Sequence, residues 1–78
     1  MRDIRITLNH DTLEYEVDEV RDGHLRTYAS TGKNHDAVLY AKMEIEKNPT
    51  KGDRIINSCG TIYTWTGKGW RTDKPSNY

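Results

Sequence analysis

Ile4, Ile6 and Leu8 alternate with Arg5 and Thr7, the period-2 pattern of a strand with one buried face. After the turn-like Asn9-His10-Asp11, Leu13, Tyr15 and Val17 alternate with Glu14, Glu16 and Asp18. Asp22-Gly23 then predicts a two-residue hairpin, because glycine tolerates positive φ. Leu25, Thr27 and Ala29 form one face of a third strand, with Arg26 and Tyr28 on the other. Ser30 to Lys33 is loop chemistry. Asn34 is expected to cap a helix over residues 34–47, with Asp36 in the first turn, where the helix dipole favours negative charge. Val38, Ala41 and Ile45 recur at helical spacing beside Ala37, with Leu39 and Met43 as a flank. Lys42, Glu44, Glu46 and Lys47 suit the wet side, and Asn48-Pro49 stops the helix. A short strand follows around Ile55 and Ile56, then a Cys59-Gly60 turn. A strand over residues 61–66 turns at Gly67-Lys68-Gly69 into Trp70-Arg71-Thr72.

Three strands, one helix and two or three further strands predict a two-layer α+β fold. It is expected to be one antiparallel sheet of five to six strands with the single helix packed on one face. Residues 1–73 form the domain, and residues 74–78 form a polar tail. Ile4, Ile6, Leu13, Tyr15, Val17, Leu25, Ile56 and Ile62 are the expected apolar face beneath Val38, Ala41 and Ile45. The other face is left for solvent or binding.

Composition narrows this picture. The chain has 78 residues, 33% of them hydrophobic and 31% charged. A core this small must use each apolar residue efficiently. Net charge is zero, but residues 1–22 are acidic and residues 51–78 basic. Such asymmetry hints at charged partners. One cysteine, Cys59, leaves no intrachain disulfide and fits a reducing, cytoplasmic setting. The start Met1-Arg2-Asp3-Ile4 has no apolar run of a secretory signal, and no stretch suits a membrane helix, so no membrane partner is expected.

The chemistry of catalysis has no motif here. His10, His24 and His35 sit in or beside predicted turns, away from ligand spacing. Cys59 has no base placed beside it by any pattern. Gly67-Lys68-Gly69 lacks the spacing of a phosphate loop. The expectation is a non-enzymatic protein with no cofactor and no metal.

Two surfaces are candidates for binding. Glu14, Glu16 and Asp18 form a carboxylate row about 6.6 Å apart, a spacing comparable to phosphates along a DNA strand. The row contains no lysine, and Asp11, Glu19 and Asp22 extend it. It would meet a basic surface that normally holds nucleic acid; the plainer alternative is the wet face of an amphipathic strand. The second surface is the aromatic and basic hairpin of Tyr63, Trp65, Lys68, Trp70 and Arg71. Aromatics flanked by cations stack bases and anchor interfaces. In a chain without phenylalanine, the alternative is that both tryptophans belong to the core.

The acidic strand and hairpin Tyr15-Glu16-Val17-Asp18-Glu19-Val20-Arg21-Asp22-Gly23, one central helix and a closing hairpin resemble the layout of small phage-encoded host-takeover proteins, particularly some anti-CRISPR proteins. The segment Gly60 to Trp70 is similar to a hairpin common in phage structural proteins. Residues 13–47 are distantly similar to arm-binding domains of tyrosine recombinases, whose sheets are usually basic where this one is acidic. The first resemblance implies an inhibitor of a host nucleoprotein or defence complex, acting by steric and electrostatic occlusion in the host cytoplasm. Its partner would be a host protein or nucleoprotein complex with a basic surface. A nucleic-acid-binding module using Tyr63, Lys68, Trp70 and Arg71 is the second reading; its weakness is the zero net charge. The protein would act as a monomer, or as a homodimer paired through an exposed edge strand.

Overall fold

A computed structural model describes residues 1–75; residues 76–78 of the tail lie outside the described residues. The elements are β1 (Asp3–Asn9), β2 (Glu14–Arg21), β3 (His24–Thr31), α1 (Asn34–Glu46), β4 (Arg54–Ile56), β5 (Ile62–Trp65) and β6 (Trp70–Asp73). They form one six-stranded sheet in the order β3-β2-β1-β4-β5-β6. The fold is α+β, as the pattern predicts.

The sheet is mixed rather than wholly antiparallel, because β4 runs parallel to β1. The reason lies in the connections. Two hairpins leave β3 running the same way as β1, and α1 carries the chain back before β4 begins. Both edges of β2 are already taken, so β4 adds beside β1, whose Ile4 and Ile6 offer an apolar neighbour. Asp53 clamps this join. Its buried carboxylate accepts the backbone N–H of Arg2 at 2.8 Å and of Thr50 at 2.9 Å. The Arg54 N–H donates to the Arg2 carbonyl at 2.8 Å.

Ile4, Ile6, Val17 and Ile55 from the sheet meet Ala37, Val38, Ala41 and Ile45 from α1 in a single core, with Tyr15, Tyr28, Ala29, Tyr63 and Trp70 packed against it. Four expected core positions lie elsewhere. Leu13 is exposed in the β1–β2 loop at φ 60°. Asn9 builds that loop, its Oδ1 accepting the N–H of Asp11 and Thr12 and its carbonyl accepting that of Leu13. Leu25 is exposed, paired with Val20 on the open face. Ile56 and Ile62 pair with each other on that face too, and Ile55 takes the inward position. Leu39 and Met43 are exposed on the outer side of α1.

The third strand also changes face midway. Val17 pairs with Ala29, yet Asp18 pairs with Thr27, so Tyr28 is the extra residue of a bulge. Thr27 therefore points to the open face, while Ala29 packs on the core. The start of α1 differs as well. Lys33 occupies the N-cap, and no side chain caps the helix. The Asn34 amide is committed elsewhere, exchanging two hydrogen bonds with Asn57 at 2.8 and 3.0 Å. The helix ends at Glu46, one residue short of the expected boundary.

Asp22 and Gly23 do form the predicted two-residue hairpin, at φ 53° and 78°. Both values are positive, as a type I′ turn requires. A Cβ at Gly23 would meet no atom within 4 Å. Gly23→Ala is therefore expected to cost about 1 kcal/mol through backbone strain alone, read as a lowered urea midpoint with unchanged slope.

Candidate functional site

The sheet has two unlike faces. One is covered by α1, and the other meets solvent along its whole width. The register decides which residues lie where. Ile6 opposes Val17 on the covered face, so Thr7 opposite Glu16 and Arg5 opposite Asp18 lie on the open one. Glu14, Glu16 and Asp18 therefore stand in a row on the open face, half-buried by their neighbours but not beneath the helix.

Asp18 is held in place. Its Oδ2 accepts the Thr7 hydroxyl at 3.0 Å and its Oδ1 accepts the Thr27 hydroxyl at 2.8 Å. Both donors are neutral, so the carboxylate is oriented without being neutralised. Among the described residues Glu14 and Glu16 form no ion pair. Further across the same face the charges cancel in pairs. Arg54 grips Asp3 through two bonds of 3.0 and 2.9 Å, and Arg71 holds Asp73 at 3.0 Å. The Arg54 guanidinium holds the Asp3 carboxyl below the usual range. Arg5 is the one cation facing the row, without an ion pair among the described residues. Uncompensated negative charge thus concentrates on β2.

Apolar pairs flank the row. Val20 and Leu25, 67% and 66% exposed, oppose each other near the hairpin turn. Ile56 and Ile62 do so beyond Arg5. The Val20–Leu25 pair was legible in the sequence. Val20 continues the parity of Glu14, Glu16 and Asp18, and a two-residue turn at Asp22-Gly23 places Leu25 opposite Val20.

Glu19 does not extend the acidic surface. It is 3% exposed on the helix side, where Arg2 grips it through bonds of 3.0 and 2.8 Å. The Tyr28 hydroxyl donates to the same carboxylate at 2.6 Å, and Arg2 also reaches Glu44 at 3.3 Å. The Arg2 bonds hold the Glu19 carboxyl below its ordinary range, and burial with the Glu19 bond pushes the Tyr28 phenol up. Nothing in the period-2 pattern distinguishes Glu19 from its acidic neighbours. Its partner is 17 residues away, and only the register joins them.

The second predicted surface divides. Tyr63, Trp65 and Trp70 share the helix-side face. Trp65 and Trp70 meet edge to face, 5.3 Å between centroids at 72°. Lys68 lies exposed at the tip of the β5–β6 turn. Arg71 pairs across from Thr64 and projects from the opposite face, so the aromatics and Arg71 do not form one site.

Cys59 is exposed in the β4–β5 turn. Its thiol lies 3.3 Å from the Thr61 hydroxyl, and that contact pulls its pKa down. Among the described residues no three His, Cys, Asp or Glu side chains gather as a metal-holding group, and no helix is long and apolar enough to cross a membrane. No protein-family model matches the chain, and no curated protein or solved structure matches it.

Proposed function

We propose that this chain is a non-enzymatic binding protein whose open sheet face docks on a basic surface of a nucleoprotein complex and occludes it. One observation carries the reading: Glu14 and Glu16 are free of ion pairs among the described residues, beside an Asp18 fixed by two threonine hydroxyls. A surface built only for solubility has no need to orient a carboxylate with neutral donors. Here the orientation of Asp18 is made by β1 and β3 together, so that carboxylate loses little side-chain freedom on binding. Val20 and Leu25 supply a desolvating anchor at one end, and the acidic charge steers a cationic partner toward the face. The phage-inhibitor form of this reading, aimed at a host defence complex, rests on the layout of the chain.

The test is capture of the partner from a bacterial host lysate at low salt, followed by titration of wild type against Glu14→Lys/Glu16→Lys/Asp18→Lys. Three reversals at about 1 kcal/mol each weaken binding on the order of 100-fold. The thermal midpoint should stay within a few degrees, since none of the three lies in the core. Equal binding by the two proteins would sink the reading and leave the row as a solvated face.

A further inference from the structure

The aromatic end of the molecule carries a second surface that the acidic face does not use. Tyr63, Trp65 and Trp70 lie side by side on the helix-side face of β5 and β6, all half-exposed. That end of the sheet projects past α1, which lies over β3, β2, β1 and β4. Only the helix side chains reach it. The Lys42 ammonium lies 4.9 Å from the Tyr63 ring centroid and 5.9 Å from that of Trp70. The Glu46 carboxylate accepts the Trp70 indole N–H at 2.8 Å.

Two further lysines belong to the same end. Lys68 is exposed at the tip of the β5–β6 turn. That turn is closed by Thr66, whose N–H donates to the Gly69 carbonyl and whose Oγ1 accepts the N–H groups of Lys68 and Gly69. Lys51 packs against this turn, its Cβ 3.9 Å from where a Cβ on Gly67 would stand. The Gly52 N–H donates to the Trp65 carbonyl at 2.8 Å and fixes the two loops together. Lys42 thus lies over the rings, and Lys51 and Lys68 sit in the loop and turn at the same end of the sheet. Glu46 is occupied by the indole, and Lys51 and Lys68 have no carboxylate partner among the described residues.

We propose that this ledge binds single-stranded nucleic acid, with Trp65 and Trp70 stacking bases and Lys42, Lys51 and Lys68 holding phosphates. Rings carry a face that any base stacks on, and cations beside them track a phosphodiester backbone. Lys42 already uses its ring contacts as a cation does, and its flexible stem lets it turn to a phosphate while remaining beside the rings. No strongly exposed aliphatic side chain lies on β5 or β6, so the surface there offers rings rather than an aliphatic patch. Arg71, on the other face, takes no part.

Trp65 and Trp70 are the only tryptophans of the chain, so intrinsic fluorescence reports on the ledge directly. Titration with a 15-residue oligothymidylate at low salt is expected to quench it saturably. With three phosphate contacts, the logarithm of the affinity should fall with that of salt with a slope of about −2. Lys51→Gln/Lys68→Gln, two exposed positions that leave the core intact, should weaken binding and reduce that slope by about 1.4. Unchanged far-ultraviolet dichroism confirms the fold of the variant. Absence of quenching overturns the proposal. So does an unaltered salt slope in the double variant, equal affinity for inorganic polyphosphate, which has no bases, or preference for a polyglutamate peptide.

Discussion

Ile55→Ala is expected to lower the unfolding free energy by about 3 kcal/mol and the thermal midpoint by roughly 15 °C. Ile55 lies in the central parallel pair, opposite Ile4 on one side and Tyr63 on the other. It is completely buried, as are Ile4, Ala41 and Ile45. Removing three carbons there leaves a void that the sheet cannot collapse into, because β1 and β5 hold β4 from both sides. A domain of this size has a total stability near the low end of the usual range, about 5 kcal/mol, so the loss takes most of it. Ile56→Ala is the control. Ile56 is half-buried on the open face, and its truncation should cost about 1 kcal/mol or less. Urea midpoints of the two variants check the difference; equal losses would mean that the assigned faces of β4 are wrong.

That contrast shows what the pattern of the chain reveals and what it hides. Where strands alternate cleanly, as in β1 and β2, the buried and open faces follow from parity, and Ile4, Ile6, Val17 and the carboxylate row lie as expected. At Ile55-Ile56 two adjacent isoleucines satisfy either parity. The choice is made by the Asp53 clamp and the parallel pairing with β1, both of which depend on residues some 50 positions apart. Leu25 and Thr27 followed by Ala29 alternate as if on one face, but the bulge at Tyr28 inserts a residue. The bulge accompanies the Tyr28 bond to Glu19, a pairing that no local pattern encodes. The parallel pair escapes for a similar reason. Strand order is legible, but which edge receives β4 depends on which edges the first three strands leave free.

The candidate surfaces follow the same rule. The acidic row was legible because it lies within one strand. Its flanking anchor needed the hairpin register as well as the parity of β2. The basic and aromatic hairpin was half legible. Tyr63, Trp65 and Trp70 share a face by parity across the turn, and the same parity sends Arg71 to the other side. Lys42 and Lys51 join the rings only through the tertiary placement of α1 and of the loop after it.

Glu19→Ala should cost about 3 kcal/mol, a shift of about 3 M in urea midpoint at a slope near 1 kcal/mol/M. The size follows from what is left behind. Arg2 has a side chain only 17% exposed, and without Glu19 its remaining carboxylate is Glu44 at 3.3 Å. Tyr28 loses the acceptor of its hydroxyl at the same time. A half-buried cation and a stranded phenol cost more than the original pair contributed. Glu44 keeps the loss at the lower end of the range for broken buried pairs. The same group sets a pH dependence. Folding depresses the Glu19 pKa, so its contribution is present above the ordinary glutamate value of about 4.3 and is lost as pH falls through the lower folded value. Tyr28 works in the opposite sense. Its raised pKa stabilises the fold below the ordinary tyrosine value of about 10, and that contribution is lost as pH rises through the folded value. The stability difference between wild type and Glu19→Gln should therefore be flat between pH 5 and 9 and shrink below pH 4. Wild-type urea midpoints measured from pH 3 to 9, alongside the Gln variant, read the Glu19 effect. A difference that persists undiminished at pH 3 would show that the Glu19 carboxylate is not what holds Arg2 against the sheet.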